Sequence, residues 1–285
     1  MSRKAPFTTI ASGFGALEGP TFDGDGTLYV ADLKRHSVIA IHPDGRSQKV
    51  LDRERVGGIN LHGSGGLVLT GRSVVHWRDG VERVLVEPDD VPERVGRRTV
   101  GFNDLVADTD GCVIVGVLRT GPDGSPTPGE LLHVTAPHEV TVLHDHIHPN
   151  GLAFSGDGRR LFASDTFARR IVVLDWRGGR LPVPLGEIST SGIGGLPDGL
   201  ATDEDGGVWA AFYRGACAVR FDPGDGSREE LPVPALKPLS LCFGGPDLRQ
   251  LTVVTGSDGE GRGESGSVLA LDLEVAGCPV AVATI

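Results

Sequence analysis

Residues 23–46 read DGDGTLYVADLKRHSVIAIHPDGR. An Asp/Gly turn opens the stretch, the apolar run LYVAD follows, a short polar break interrupts it, and a second apolar run, SVIAI, ends at another Asp/Gly turn. Short β-rich runs bounded by such turns read as hairpin strands. The same order recurs at 156–179 (GDGRRLFASDTFARRIVVLDWRGG) and 203–226 (DEDGGVWAAFYRGACAVRFDPGDG). Looser copies lie at 62–80 (HGSGGLVLTGRSVVHWRDG), at 108–119 with GELLHV beyond a loop, and at 245–256 with GSVLALDL. A unit repeating every ~40–48 residues has the length of one propeller blade. Long helix-period patterns are absent, and a β-sandwich or a pair of β-domains would not repeat evenly from end to end. The expected fold class is all-β: a six-bladed β-propeller with a central channel, in a single domain over residues 1–285.

Bulk properties narrow the partners. The chain has 285 residues and a formal net charge of −11 spread along its length, with no Lys/Arg-rich block. That balance argues against nucleic acid or an anionic membrane and suits a divalent cation or a neutral small molecule. No stretch reaches the ~20 apolar residues of a membrane span, and the start MSRKAPFTTIASGFG has no apolar run of signal-peptide type. Cys112, Cys217, Cys242 and Cys278 form no CxxC pair and read as small buried hydrophobes. A cytoplasmic protein is expected, as a monomer or weak homo-oligomer.

The repeat also points to a site. Counting back about eight residues from the turn in each copy reaches Glu18, Gly57, Asn103, Asn150, Asp198 and Ser240. If the copies superpose, these positions ring one mouth of the channel. Asn, Asp and Gly also make turns before strands, which is the plainer explanation of any one of them. Two carboxylates and two amides converging without a basic partner would repel, and a hard divalent ion such as Ca²⁺ or Mg²⁺ would relieve them, with Mn²⁺, Zn²⁺ or Fe²⁺ as further choices.

The motifs LEGPTFD, GFND, HPNGLAFSGDGRRLFASDT, LPDGLATDEDGGVWAAFY and CFGGPDLRQLTVVTG, in this order across the chain, resemble those of the SMP-30/gluconolactonase/LRE family. The resemblance implies a six-bladed propeller, one divalent metal at the channel mouth, and hydrolysis of lactones or related esters. It further implies Glu18, Asn150 and Asp198 as metal ligands, Asn103 beside metal and substrate, and Asp198 as general base. Three departures stand out: Gly101 replaces the Arg of sugar-lactone members, Arg119-Thr120-Gly121 replaces a Glu, and Phe22 stands where Trp is usual.

Around this set, Asp104 either supports the site or makes a turn, and Asp32 and Asp165 either end strands or take a catalytic part. Arg119 is expected to contact substrate. His148, two residues before Asn150, would share its side of an extended chain and either line the pocket and contact substrate or pack under a loop, while His146 would face solvent. The loop 120–129 (TGPDGSPTPG) forms either a rim over the mouth or a surface connection. His36, His42, His62, His76 and His133 read as surface or packing residues. No G-x-S-x-G, HExxH or P-loop motif is present. The expected function is a divalent-metal-dependent hydrolase of a small-molecule lactone or ester. Isomerisation, elimination or phosphotriester cleavage at the same site, and a non-catalytic binding scaffold, remain open alternatives.

Overall fold

At three of the turns an Asp explains why the repeat folds alike. Asp23 Oδ1 accepts from the N–H groups of Asp25 and Thr27, Asp108 Oδ1 from those of Asp110 and Cys112, and Asp203 Oδ1 from those of Asp205 and Gly207. An Asp side chain that mimics a backbone acceptor fixes the hairpin and so the strand register beyond it.

The computed structural model describes residues 6–177, 181–257 and 266–285; the first five residues and the last two of the 156–179 repeat lie outside these. Six antiparallel sheets form the blades. From the inside outward, blade 1 is Leu17–Phe22, Leu28–Asp32, Ser37–Ile41 and Ser47–Asp52, and blade 2 is Ile59–Leu61, Leu67–Leu69, Val74–Arg78 and Val81–Val86. Blade 3 is Arg98–Ala107, Val113–Thr120, Gly129–Ala136 and Glu139–Ile147, with Pro126–Thr127 folded back on its second strand. Blade 4 is Pro149–Phe154, Arg160–Asp165, Arg170–Asp175 and Val183–Ser189, and blade 5 is Leu196–Thr202, Val208–Tyr213, Cys217–Phe221 and Arg228–Pro232. Blade 6 takes Pro238–Gly244, Gln250–Thr255 and Gly266–Asp272, and completes itself with Thr8–Phe14, which pairs Thr8 with Ala270. The described residues hold one 3₁₀ turn, Pro88–Asp90, and no helix long and apolar enough to cross a membrane.

The core lies between blades. Phe162, Ile171, Phe212 and Phe221 pack in the seam of blades 4 and 5, and Trp209, Leu241, Leu251 and Leu269 in that of blades 5 and 6. Each such side chain, fully buried, contributes about 1.5–3 kcal/mol.

The segment 277–285 forms a strap across the end of the channel where the inner strands finish. It bridges Gly277 to Asp203 of blade 5, Ala281 to Ala107 of blade 3 and Ala283 to His62 of blade 2. The Ile285 carbonyl oxygen accepts from Arg83 Nη2 at 2.6 Å and lies 3.1 Å from His62 Nε2.

Candidate metal centre

The opposite mouth of the channel lies where the inner strands begin, and there the inner strands of blades 1, 3, 4 and 5 depart from regular pairing. Register shifts fall between Glu18 and Thr21, Phe102 and Leu105, Pro149 and Leu152, and Pro197 and Leu200. A bulge releases residues from the ladder and re-aims their side chains. Asn103, Asp104, Asn150 and Asp198 are among the residues released, while Glu18 pairs with Ala31 immediately before its bulge. Small residues let the strands close in at this point. A Cβ on Gly57 would lie 2.4 Å from Asn103 Oδ1, one on Gly151 2.4 Å from the Asp198 carbonyl oxygen, and one on Gly199 2.1 Å from Ser240 Oγ. Blade 2 thus gives no donor at its ring position because Asn103 from blade 3 occupies the space.

The side chains meet in a chain of contacts. Asn103 Nδ2 donates to the Pro149 carbonyl oxygen at 3.0 Å and to Asn150 Oδ1 at 3.1 Å. Asn150 is within hydrogen-bonding reach of Asp198, whose charge acts in turn on Glu18. Glu18, Asp104 and Asp198 are all buried, and Glu18 Oε2, Asp104 Oδ1 and Asp198 Oδ1 have no hydrogen-bond partner. Burial, then the charges of Asp198 and Asp104, hold the Glu18 carboxyl well above the usual range. Burial, then Asp104, does the same to Asp198. Burial pushes Asp104 up to about 7. No Lys or Arg among the described residues forms an ion pair with any of the three.

Three buried carboxyls with orphaned oxygens are an unstable arrangement for the protein alone. A divalent cation fits it: the donors are all oxygen, they come from separate blades, and the charges of the carboxyls act on one another with no basic partner. Below them the channel is a cavity of about 140 Å³ lined by Asn60, Asp104, Leu152, Leu200 and Ser240 among others, reaching the strap at Cys278–Ala281.

Asp104 is the member that sequence reasoning left undecided. In blades 1, 2, 4 and 5 the residue after the ring position is Gly19, Gly58, Gly151 or Gly199, each pressed against the next inner strand. Blade 3 alone puts a carboxyl there, and that break in the glycine pattern was the available signal. Asp32 and Asp165 serve as strand-end clamps. Asp32 accepts from the N–H groups of Gly15 and Lys34, and Asp165 from His148 N and the Arg170 guanidinium. The 120–129 loop turns back so that Thr127 pairs with Arg119.

The structure corrects the substrate contact expected of Arg119. Its guanidinium is buried against Glu130, with Nε–Oε2 at 2.7 Å and Nη2–Oε1 at 2.6 Å, and Nη2 also donates to the Pro92 carbonyl oxygen. Glu130 on the neighbouring strand, far along in sequence, takes the charge that substrate was expected to meet. His148 stands at the mouth with its Nδ1 3.6 Å from Asp165 Oδ1 and its ring edge-on to Phe167 at 4.8 Å. Phe167 itself is exposed. His146 is exposed and has a left-handed backbone, φ 58°.

Gly101 explains the missing sugar-contact Arg in backbone terms. Its φ is +148°, and a Cβ there would lie 2.6 Å from the Gly71 carbonyl oxygen, which Phe102 N–H also engages. The strand has been drawn against blade 2 at the place where a long side chain would begin.

Fold and mouth together define a class: six-bladed propellers with a buried, oxygen-only donor cluster at one end of the channel. The chain belongs to the SMP-30/gluconolactonase/LRE-like family, whose model matches residues 17–257. It is similar to pentonolactonase XacC of Haloferax volcanii, 29% identical over 283 residues with 92% of each chain covered. It is also similar to 6-deoxy-6-sulfogluconolactonase of Pseudomonas putida, 31% identical over 265 residues with 88% of each covered. Among solved structures, the calcium-binding protein regucalcin from Agrobacterium tumefaciens superposes with a TM-score of 0.81 at 22% identity, covering 99% of this chain and 98% of that one; at that identity the likeness concerns the fold.

Proposed function

We propose that this chain hydrolyses a small-molecule lactone with a divalent cation, Ca²⁺ first among the choices, held by Glu18, Asn150 and Asp198. The observation that carries the reading is the set of orphaned carboxylate oxygens at the mouth. When bound, the cation supplies a Lewis acid for the lactone carbonyl and returns the three carboxyls to their ionised forms. Asp198 accepts the proton of the attacking water at its carboxylate and passes it to the ring oxygen as the acyl C–O bond opens. Asn103, whose two amide hydrogens are donated to the Pro149 carbonyl and Asn150 Oδ1, has its own Oδ1 left to accept from the attacking water and hold it in line. His148 and Phe167 form one wall of the entrance. Asp104 adds negative charge beneath the ligands and so favours a doubly charged ion.

An apolar or little-substituted lactone suits the entrance better than a polyhydroxylated one. Gly101 bears no donor, Arg119 is committed to Glu130, and Phe167 offers an exposed ring. The four cysteines are free, which suits a reducing cytoplasm.

The test uses chelator-treated protein with Ca²⁺, Mg²⁺, Mn²⁺, Zn²⁺ and Fe²⁺ restored one at a time, assayed on aliphatic and sugar lactones and simple esters. Cation-dependent turnover that disappears in Asp198→Asn is expected. Silence on every substrate with every ion would refute the reading.

A further inference from the structure

The Asp turn shared by blades 1, 3 and 5 offers an internal comparison at the strap end of the channel. In blade 5, Asp203 Oδ1 caps the turn, while Oδ2 accepts from Trp209 Nε1 at 2.7 Å and Arg220 Nε at 2.6 Å. Arg220 lies opposite Trp209, six residues beyond the Asp. Gly207, four residues beyond it, leaves the room Arg220 needs: a Cβ there would lie 2.5 Å from the guanidinium. Carboxylate and cation satisfy each other, and the arrangement is closed.

Blade 3 keeps the turn and changes both partners. Asp108 Oδ1 accepts from Asp110 N and Cys112 N, each at 2.9 Å. At the register of Arg220 stands His133, opposite Ile114, and at the place of Gly207 stands Cys112. His133 Nε2 is 3.1 Å from Asp108 Oδ2. The carboxylate oxygen, imidazole nitrogen and sulfur all lie within 4.8 Å of one another. A permanent side-chain cation has been replaced by two groups that can ligate an external one.

We propose that Asp108, Cys112 and His133 form a Zn²⁺ site with water as fourth ligand, separate from the cation site at the channel mouth. The donor set selects the metal. Thiolate and imidazole beside one carboxylate suit Zn²⁺ and disfavour Ca²⁺ or Mg²⁺, which take oxygen alone. Tetrahedral bond lengths require ligand atoms about 3.3–3.6 Å apart, so the Asp108–His133 edge is nearly in place and a turn of the Cys112 side chain completes the triangle. Asp108 and His133 are buried while Cys112 is partly exposed, which gives the ion a way in.

Asp108 follows Asn103 by five residues along one strand, roughly 16 Å, so the two sites lie at opposite ends of blade 3. The zinc site sits beside the strap, whose Thr284 N–H donates to the Gly111 carbonyl oxygen at 2.8 Å. Without the ion, partial burial and then the carboxylates of Asp108 and Asp110 keep the Cys112 thiol protonated. On binding, the S–H proton leaves to solvent as the sulfur–zinc bond forms, so one proton is released at this residue. The site then pins the first hairpin of blade 3 to its third strand, as Arg220 does in blade 5.

Co²⁺ titration of the chelator-treated full chain tests this directly. A near-ultraviolet thiolate-to-cobalt charge-transfer band that saturates at one equivalent and disappears on adding Zn²⁺ is expected; the oxygen-only mouth cannot produce it. Cys112→Ser should abolish the band while lactone turnover persists, and His133→Gln should weaken Co²⁺ binding at least tenfold. A readout without variants is protection of Cys112 from alkylation by stoichiometric Zn²⁺, located by peptide mass. Absence of the band in the parent protein, a band that survives Cys112→Ser, or unprotected alkylation would overturn the proposal.

Discussion

Replacing Asp104 with Asn should make the metal-free protein more stable at neutral pH while weakening its hold on the cation. Asp104 is buried, one of its oxygens has no partner, and its pKa rises from 3.8 to about 7 chiefly through burial. A group whose folded-state pKa lies above its unfolded value contributes stability that is fully present below the unfolded pKa and is lost as pH rises through the folded one. For Asp104 that window runs from 3.8 to about 7, and the rise corresponds to roughly 4 kcal/mol at 1.36 kcal/mol per pKa unit. Its interaction with Glu18 and Asp198 makes this an upper bound for one residue. It is a large share of the ~5–15 kcal/mol by which domains are stable. The assay is urea denaturation in chelator at about pH 4 and about pH 8, on the parent and on Asp104→Asn. The parent should lose more stability than the variant by up to about 4 kcal/mol between the two pH values. Added Ca²⁺ should restore the parent preferentially, by about 2.7 kcal/mol at a hundred times its Kd. Identical pH dependence in the two proteins would show that Asp104 does not carry a buried charge, and the electrostatic case for a cation at this mouth would fall with it.

Other outcomes can be read alongside. Asp198→Asn should lower kcat by about 10²–10⁴ at saturating cation, measured by lactone opening under pH-stat. Arg119→Met should lower stability by up to about 3–5 kcal/mol in urea melts, because it removes both close hydrogen bonds to the buried Glu130 and leaves it only Arg94 at 3.5 Å, yet leave kcat of the folded fraction unchanged. Phe167→Ala should alter stability by less than about 0.5 kcal/mol, since the ring is exposed, and raise KM for apolar lactones without changing kcat. Gly101→Arg should lower the melting midpoint and bring no gain on sugar lactones, because the backbone at φ +148° meets the Gly71 carbonyl; improved sugar-lactone turnover in that variant would show the strand can be re-formed.

The blade architecture was legible in the sequence because one local device, the Asp turn before an apolar strand, recurs in the same register as at Asp23, Asp108 and Asp203. The ring of inner-strand positions followed from the same periodicity, and the structure brings Glu18, Asn103, Asn150 and Asp198 to one mouth. What escaped depends on contacts between distant segments. Nothing in TTIASGF marks it as the outer strand of the last blade. Arg119 looked available because Glu130 lies on a different strand, across the 120–129 loop. Asp104 stayed undecided between a turn and a place at the site, since its burial arises only when the bulges of four blades face one another. Cys112 and His133 looked like packing residues for the same reason: the blade-3 hairpin and the third strand must pair before sulfur and imidazole share a carboxylate.

Closure of blade 6 by Thr8–Phe14 has a kinetic consequence. Blades 1–5 can each form from neighbouring residues, but the last requires segments some 260 positions apart, as in the Thr8–Ala270 pair. That meeting is the slow, entropically costly step of a high-contact-order fold. Glu18 lies four residues after the closing strand, on the other side of the seam from Asp198. A cation joined to both would act as a latch across the ring, and bound protein should open more slowly than free protein. The rate of calcium release would then report how often the ring comes apart.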